Sequence, residues 1–118
     1  MKPTVLITGG NGFIGRKLTD TLLQAGFQVR ITSRREPKTQ PANPAVRVVR
    51  VDYNNVPSLQ KAMEGCEGVF NLAAAIFGFY RADFERANVV AAQNVVAAAN
   101  QTPGLKTFVH VSSLAASG

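Results

Sequence analysis

The sequence predicts an α/β fold, a doubly wound parallel sheet of about five strands in the order 3-2-1-4-5. Three observations carry that expectation. Strand-like and helix-like runs alternate along the whole chain. The strand-like runs are almost continuously apolar, as strands covered on both faces must be. The first of them ends in a glycine-rich turn that leads straight into a helix. Right-handed crossovers then distribute the helices over both faces of the sheet. The 118 residues, 46% hydrophobic and 17% charged, suffice for one domain with a real core.

Taken in order, Thr4 to Thr8 is β-rich and stops at Gly9-Gly10. Phe13 to Ala25 carries Phe13, Ile14, Leu18, Leu22 and Ala25 at helical spacing, with Gly26 as a stop. Phe27 to Ser33 alternates Val29 and Ile31 with polar residues and reads as the second strand. Arg34 to Pro44 holds three prolines and reads as a loop. Val46 to Val51 is the third strand, and Val56 to Met63 a short helix with Pro57 near its start and Gly65 after its end. Gly68 to Ala73 is the fourth strand, with Cys66 at the turn before it. A long helix runs from about Arg81 to Asn100, with Asp83 and Glu85 where the positive helix end favours acids. Pro103-Gly104 breaks the chain, Leu105 to Val111 is the fifth strand, and Ser112 to Gly118 a final loop.

Several function classes fall away. Cys66 is the only cysteine and His110 the only histidine, so neither an internal disulfide nor a zinc cluster is expected. No leader is expected, because Met1-Lys2-Pro3 runs directly into a strand. The longest apolar run, Leu72 to Tyr80, is far short of the roughly 20 residues of a membrane span. A cytoplasmic protein with no membrane partner follows as the expectation. The net charge of +6 is concentrated between Arg30 and Arg50, where Arg30, Arg34, Arg35, Lys38, Arg47 and Arg50 face Glu36 alone. Such a patch asks for an anionic partner. Nucleic acid is not expected, since helix-turn-helix spacing, zinc ligands and an aromatic RNA-binding pattern are all missing.

The chemistry is concentrated in Thr8-Gly9-Gly10-Asn11-Gly12-Phe13-Ile14-Gly15. Gly9 permits a tight turn, Gly12 lets backbone approach a pyrophosphate, and Gly15 lets helix and strand pack closely. The helix start offers free N–H groups and a positive dipole to phosphates.

This turn has the TGxxGxxG spacing of the short-chain dehydrogenase/reductase superfamily, and Gly12-Phe13-Ile14-Gly15 resembles its extended branch. That branch holds nucleotide-sugar epimerases and dehydratases, dihydroflavonol-type reductases and 3β-hydroxysteroid dehydrogenases. Four further segments match in order. Val51-Asp52-Tyr53 resembles the acidic position that reads the adenine amino group. Asn71-Leu72-Ala73-Ala74 resembles the strand-four motif lining the cofactor. Asn88-Val89 and Asn94 are similar to the helix pattern with a structural Asn. Val111-Ser112-Ser113 resembles the end of strand five, where Ser113 is the better match for the catalytic Ser and Val111 lies beside the cofactor.

The resemblance implies a Rossmann-like, dinucleotide-binding domain over residues 1–118. It also gives the basic patch a meaning. The residue ending strand two faces the adenosine ribose, where an acid selects NAD. Here Ser33-Arg34-Arg35-Glu36 stands at that place, and an Arg can hold a 2′-phosphate in a charge-assisted pair. NADP is therefore the expected cofactor, with NAD the alternative, Arg34 the first contact, and Arg35 or Lys38 assisting; a two-residue shift in register would instead bring Glu36 to the ribose. In the family a Tyr-x-x-x-Lys pair after the Ser moves the proton while hydride passes to or from the nicotinamide. Tyr53 and Tyr80 are the only tyrosines, and Pro57 and Phe84 stand four residues after them. The chain is thus expected to be the cofactor half of an oxidoreductase or epimerase, truncated after strand five. It would lack the substrate-binding part, be incompetent by itself, and meet a small-molecule substrate only in the full-length parent. A non-enzymatic NADP-binding, redox-sensing or regulatory module is the alternative. Self-association through exposed apolar surface is expected in either case.

Overall fold

The computed structural model describes residues 2–9, 13–72 and 82–110, with backbone alone for Phe13, residues 82–89 and His110. The order is β1 (Thr4–Thr8), α1 (Phe13–Gln24), β2 (Gln28–Ser33), β3 (Val46–Arg50), α2 (Val56–Met63), β4 (Cys66–Asn71), α3 (Ala82–Asn100) and β5 (Thr107–His110). The five strands form one sheet in the order β3-β2-β1-β4-β5, every neighbouring pair parallel, as the alternation of elements predicted.

The two faces are filled by alternate residues of the same strands. Val5, Ile7, Val29, Ile31 and Val46 pack with Leu22 on the α1 side. Leu6, Val51 and Val69 pack with Leu59 and Met63 of α2 and Val95, Ala98 and Ala99 of α3 on the other. Small residues of α3 let it lie close to α2, with Ala98 fully buried. The split follows from right-handed crossovers: the path from β1 to β2 runs one way along the sheet, and those into β4 and β5 run the other.

Local chemistry sets the element ends. Gly26 stands at φ 92 beyond α1 and Gly65 at φ 78 beyond α2, conformations that L side chains adopt with strain. Asn55 caps α2, its Oδ1 accepting from Ser58 N at 3.0 Å, and Pro57 sits where a missing N–H costs nothing. Arg30, on β2, donates from Nη1 to the carbonyls of Ala62 at 2.6 Å and Glu64 at 2.8 Å, closing the C-terminal end of α2 with a cation.

Three expectations need correction. Strand β4 opens at Cys66 rather than Gly68, because Cys66 pairs with Thr4 before the register shifts at Val5. Cys66 is therefore a buried strand residue and not a turn residue. Burial pushes its thiol pKa up, partly offset by the charge of Arg30. And the basic segment is not a single patch: Arg30 is committed to α2, and Arg47, its register partner on β3, lies on that same face.

The edge strand β3 is closed from outside by one side chain. The Gln40 amide donates to Val48 O at 3.0 Å and accepts from Val48 N at 2.8 Å, which is what a neighbouring strand would do. Among the described residues no helix is long and apolar enough to cross a membrane.

Candidate functional site

In an open parallel sheet, ligands bind beyond the carboxyl ends of the strands, where the direction of winding reverses. Here that point lies between β1 and β4. Their ends are tied together: Leu72 N donates to Thr8 O at 3.1 Å, and the Thr8 hydroxyl donates to Asn71 Oδ1. Both side chains are buried, so this bond fixes the floor of the crevice. Beyond Thr8, Gly9 stands at φ 74, the left-handed conformation that a tight turn into a helix requires. Gly15 is buried in the first turn of α1, and Thr19 Oγ1 donates to its carbonyl at 2.7 Å. Ile14 is 40% exposed at the same helix end.

A second part of the edge lies beyond β2 and β3. Arg34, Arg50, Asp52 and Tyr53 line one cleft of about 340 Å³. Tyr53 organises it. Its hydroxyl shares a 2.5 Å hydrogen bond with the buried Thr32 hydroxyl, and its carbonyl accepts from Asn94 Nδ2 at 2.7 Å. The Arg34 guanidinium lies 5.5 Å from the ring centroid, in range of a cation–π contact. Burial holds the Tyr53 hydroxyl above its ordinary pKa, against the lowering effects of Thr32 and Arg34. At neutral pH it is a neutral donor or acceptor. Asp52 is exposed; its Oδ1 accepts from Asn54 N at 2.9 Å and its N–H donates to the Ser58 hydroxyl at 3.0 Å. One carboxylate oxygen thus remains open to an incoming donor.

The structure therefore gathers Arg34, Asp52 and Tyr53, but it does not bring Arg35 or Lys38 to that cleft. Both are exposed, and Arg35 uses its N–H on Ser33 Oγ at 3.2 Å. Glu36 lines a different cleft, with Arg47 and Gln40. Strand β2 ends at Ser33, so Arg34, not Glu36, is the residue at its tip. Leu72 is buried in the core on the α1 side, and only its backbone faces the edge. Gly12, Ala73, Ala74, Val111 and Ser113 lie outside the described residues, as does the Phe13 side chain. Arg50 is counted in the basic patch by the sequence but not among the cofactor contacts. It reads there as a strand residue, and its position one residue before Val51-Asp52 is the signal that it ends beside the same cleft. Among the described residues no cluster of His, Cys, Asp and Glu could hold a metal.

A family model described as "NAD dependent epimerase/dehydratase family" matches residues 5–118. The chain belongs to the NAD-dependent epimerase/dehydratase family. A 3-beta-hydroxysteroid dehydrogenase of Mycolicibacterium neoaurum is 35% identical over 92% of this chain and 31% of its own length. A UDP-glucose 4-epimerase of Rickettsia conorii is 32% identical over 90% of this chain and 35% of its own. Among solved structures, vestitone reductase from alfalfa aligns with a TM-score of 0.74 at 27% identity, over 92% of this chain and 36% of that one. This member of the NAD-dependent epimerase/dehydratase family spans about a third of the length of the curated relatives it matches.

Proposed function

We propose that residues 1–118 form the dinucleotide-binding portion of an NADP-preferring oxidoreductase or nucleotide-sugar epimerase or dehydratase. The observation that carries the cofactor preference is Arg34 at the tip of β2, lying over the Tyr53 ring in a cleft shared with Arg50 and Asp52. A guanidinium held against a ring loses less freedom on meeting a phosphate than a free one does. Arg34 and Arg50 together suit a dianionic 2′-phosphate, and the open oxygen of Asp52 suits the adenine amino group.

The crevice at Thr8, Gly9 and Asn71 then serves the pyrophosphate and the nicotinamide half. When bound, the nicotinamide supplies a hydride donor or acceptor. What this portion contributes is binding and orientation: the positive end of α1 for the phosphates, a glycine turn that admits them closely, and a fixed floor. Ser113 is proposed to polarise the reacting oxygen of a substrate in a complete enzyme. The proton-transferring pair and the substrate pocket would belong to a longer protein, as would the choice of substrate.

Calorimetric titration tests the preference. NADPH is expected to bind at least about tenfold tighter than NADH, a difference of roughly 1.4 kcal/mol. Arg34→Ala should erase most of that ratio while leaving NADH affinity almost unchanged. Equal affinities in the unaltered chain refute the reading.

A further inference from the structure

Part of the basic segment is not used by the site above. On the α2 flank of β2 and β3 lies a cleft of about 760 Å³. Arg30, Arg47, Arg50 and Lys61 line it, against Glu36 and Glu64. Arg30 and Arg47 are register partners on adjacent parallel strands, so their Cα atoms lie about 4.8 Å apart and their side chains leave the same face. Like charges in that relation cost stability. Neither has an acidic partner among the described residues, where the single ion pair is Lys106–Glu67, elsewhere on the surface. Arg30 is also fixed: its Nη1 is held by two carbonyls at the end of α2, while Nη2 and Nε make no hydrogen bond within the described residues. The result is a half-buried, oriented guanidinium with free donors, flanked by a second arginine and a lysine.

We propose that this cleft is a second anion site, for a small ligand carrying two or more adjacent phosphate groups. Repeated anionic charge matches several cations across one concavity, and the arginines offer paired N–H donors to phosphate oxygens. The two glutamates limit the positive field to the middle of the cleft, and none of its lining residues is aromatic, which disfavours a nucleic-acid strand. Arg50 borders both clefts, but Arg30, Arg47 and Lys61 do not line the Tyr53 cleft, so substitutions at Arg47 and Lys61 separate this site from the dinucleotide reading.

Inorganic pyrophosphate is the probe, titrated calorimetrically into the chain with and without excess NADP. Arg47 and Lys61 are exposed, so the double variant Arg47→Gln/Lys61→Gln should fold normally. Pyrophosphate binding is expected to persist beside NADP and to weaken at least about tenfold in the double variant. NADP affinity should stay within about twofold. Pyrophosphate binding that Arg34→Ala removes and the double variant leaves intact would overturn the proposal, by assigning all anion binding to the dinucleotide cleft. So would the absence of binding at millimolar pyrophosphate, or tighter binding of a single-stranded oligonucleotide than of pyrophosphate. If NADP itself fails to bind, comparing the chain with the double variant still reads the second cleft alone.

Discussion

Tyr53 does two separable things, and two substitutions divide them. Its hydroxyl is the hydrogen-bond partner of Thr32, which is 2% exposed. Tyr53→Phe leaves that buried hydroxyl with no partner, at a cost of about 1–3 kcal/mol. The ring remains, and with it the 5.5 Å contact to Arg34. Urea unfolding should therefore show the loss of stability, while the NADPH-to-NADH affinity ratio stays within about twofold. Tyr53→Leu removes the ring as well. An exposed cation–π contact contributes about 0.5–1 kcal/mol, so the ratio should fall a further two- to fivefold or so. Thr32→Val in the Tyr53→Phe background removes both polar partners and should recover most of the lost stability. Two results refute this reasoning: an unchanged unfolding free energy in Tyr53→Phe, or a drop in the cofactor ratio as large in Tyr53→Phe as in Tyr53→Leu.

Arg30→Met keeps the stem but removes the two bonds to the end of α2, and should cost about 1.5–3 kcal/mol in denaturant unfolding. The same variant should raise the Cys66 pKa further and slow its reaction with a disulfide reagent, since the charge of Arg30 is what lowers it. Gln40→Ala bares the N–H and C=O of Val48 on the sheet edge, and light scattering should then show association at lower concentration than in the parent. Cys66 and Tyr53 both have folded-state pKa values raised above the unfolded ones. The unfolded chain loses those protons first, so their contribution is complete below the unfolded values, about 8.5 and 10, and declines as pH rises through the folded ones. A pH series of urea midpoints should fall above about pH 8.5, with Cys66→Val removing the earlier part of the decline.

The strand order and every described element were legible because period, glycine stops and alternation agreed at each step. Val56–Met63 even matched at both ends, since its cap, proline and terminating glycine are all local signals. The shift of β4 to Cys66 was not legible: it depends on pairing with Thr4, far away in sequence. Asn94, matched to the helix pattern with a structural Asn, does hold a backbone carbonyl, and Asp52 stands in the cleft with Tyr53. The partition of the arginines was hidden for a simple reason. Arg30 and Arg47 sit within paired strands and leave one face of the sheet, whereas Arg34 follows the end of β2, so a charge run compact in sequence is divided between a face and an edge of the sheet. Arg30 was spent on α2, whose last turn lies 32 residues away, and Arg50 was delivered to a cleft by β3.

The bond from Thr8 to Asn71 joins residues 63 positions apart, whereas Thr4 and Gln28, paired across β1 and β2, are separated by 24. Time enters through that difference. Closing a loop of that larger size costs roughly 3–4 kcal/mol of chain entropy before any contact offsets it. At about 5–20 residues per second of synthesis, roughly 3–13 s separate the two residues as they are made. During that interval β1 can already pair with β2 and bury Val5 and Ile7 under α1, yet its other edge, destined for β4, has nothing to bond. The middle strand of the finished sheet is, for those seconds, an edge strand. The turn that begins at Gly9 is thus born well before its opposite wall, and a nascent chain depends on fast arrival of β4 to keep that edge from finding another strand.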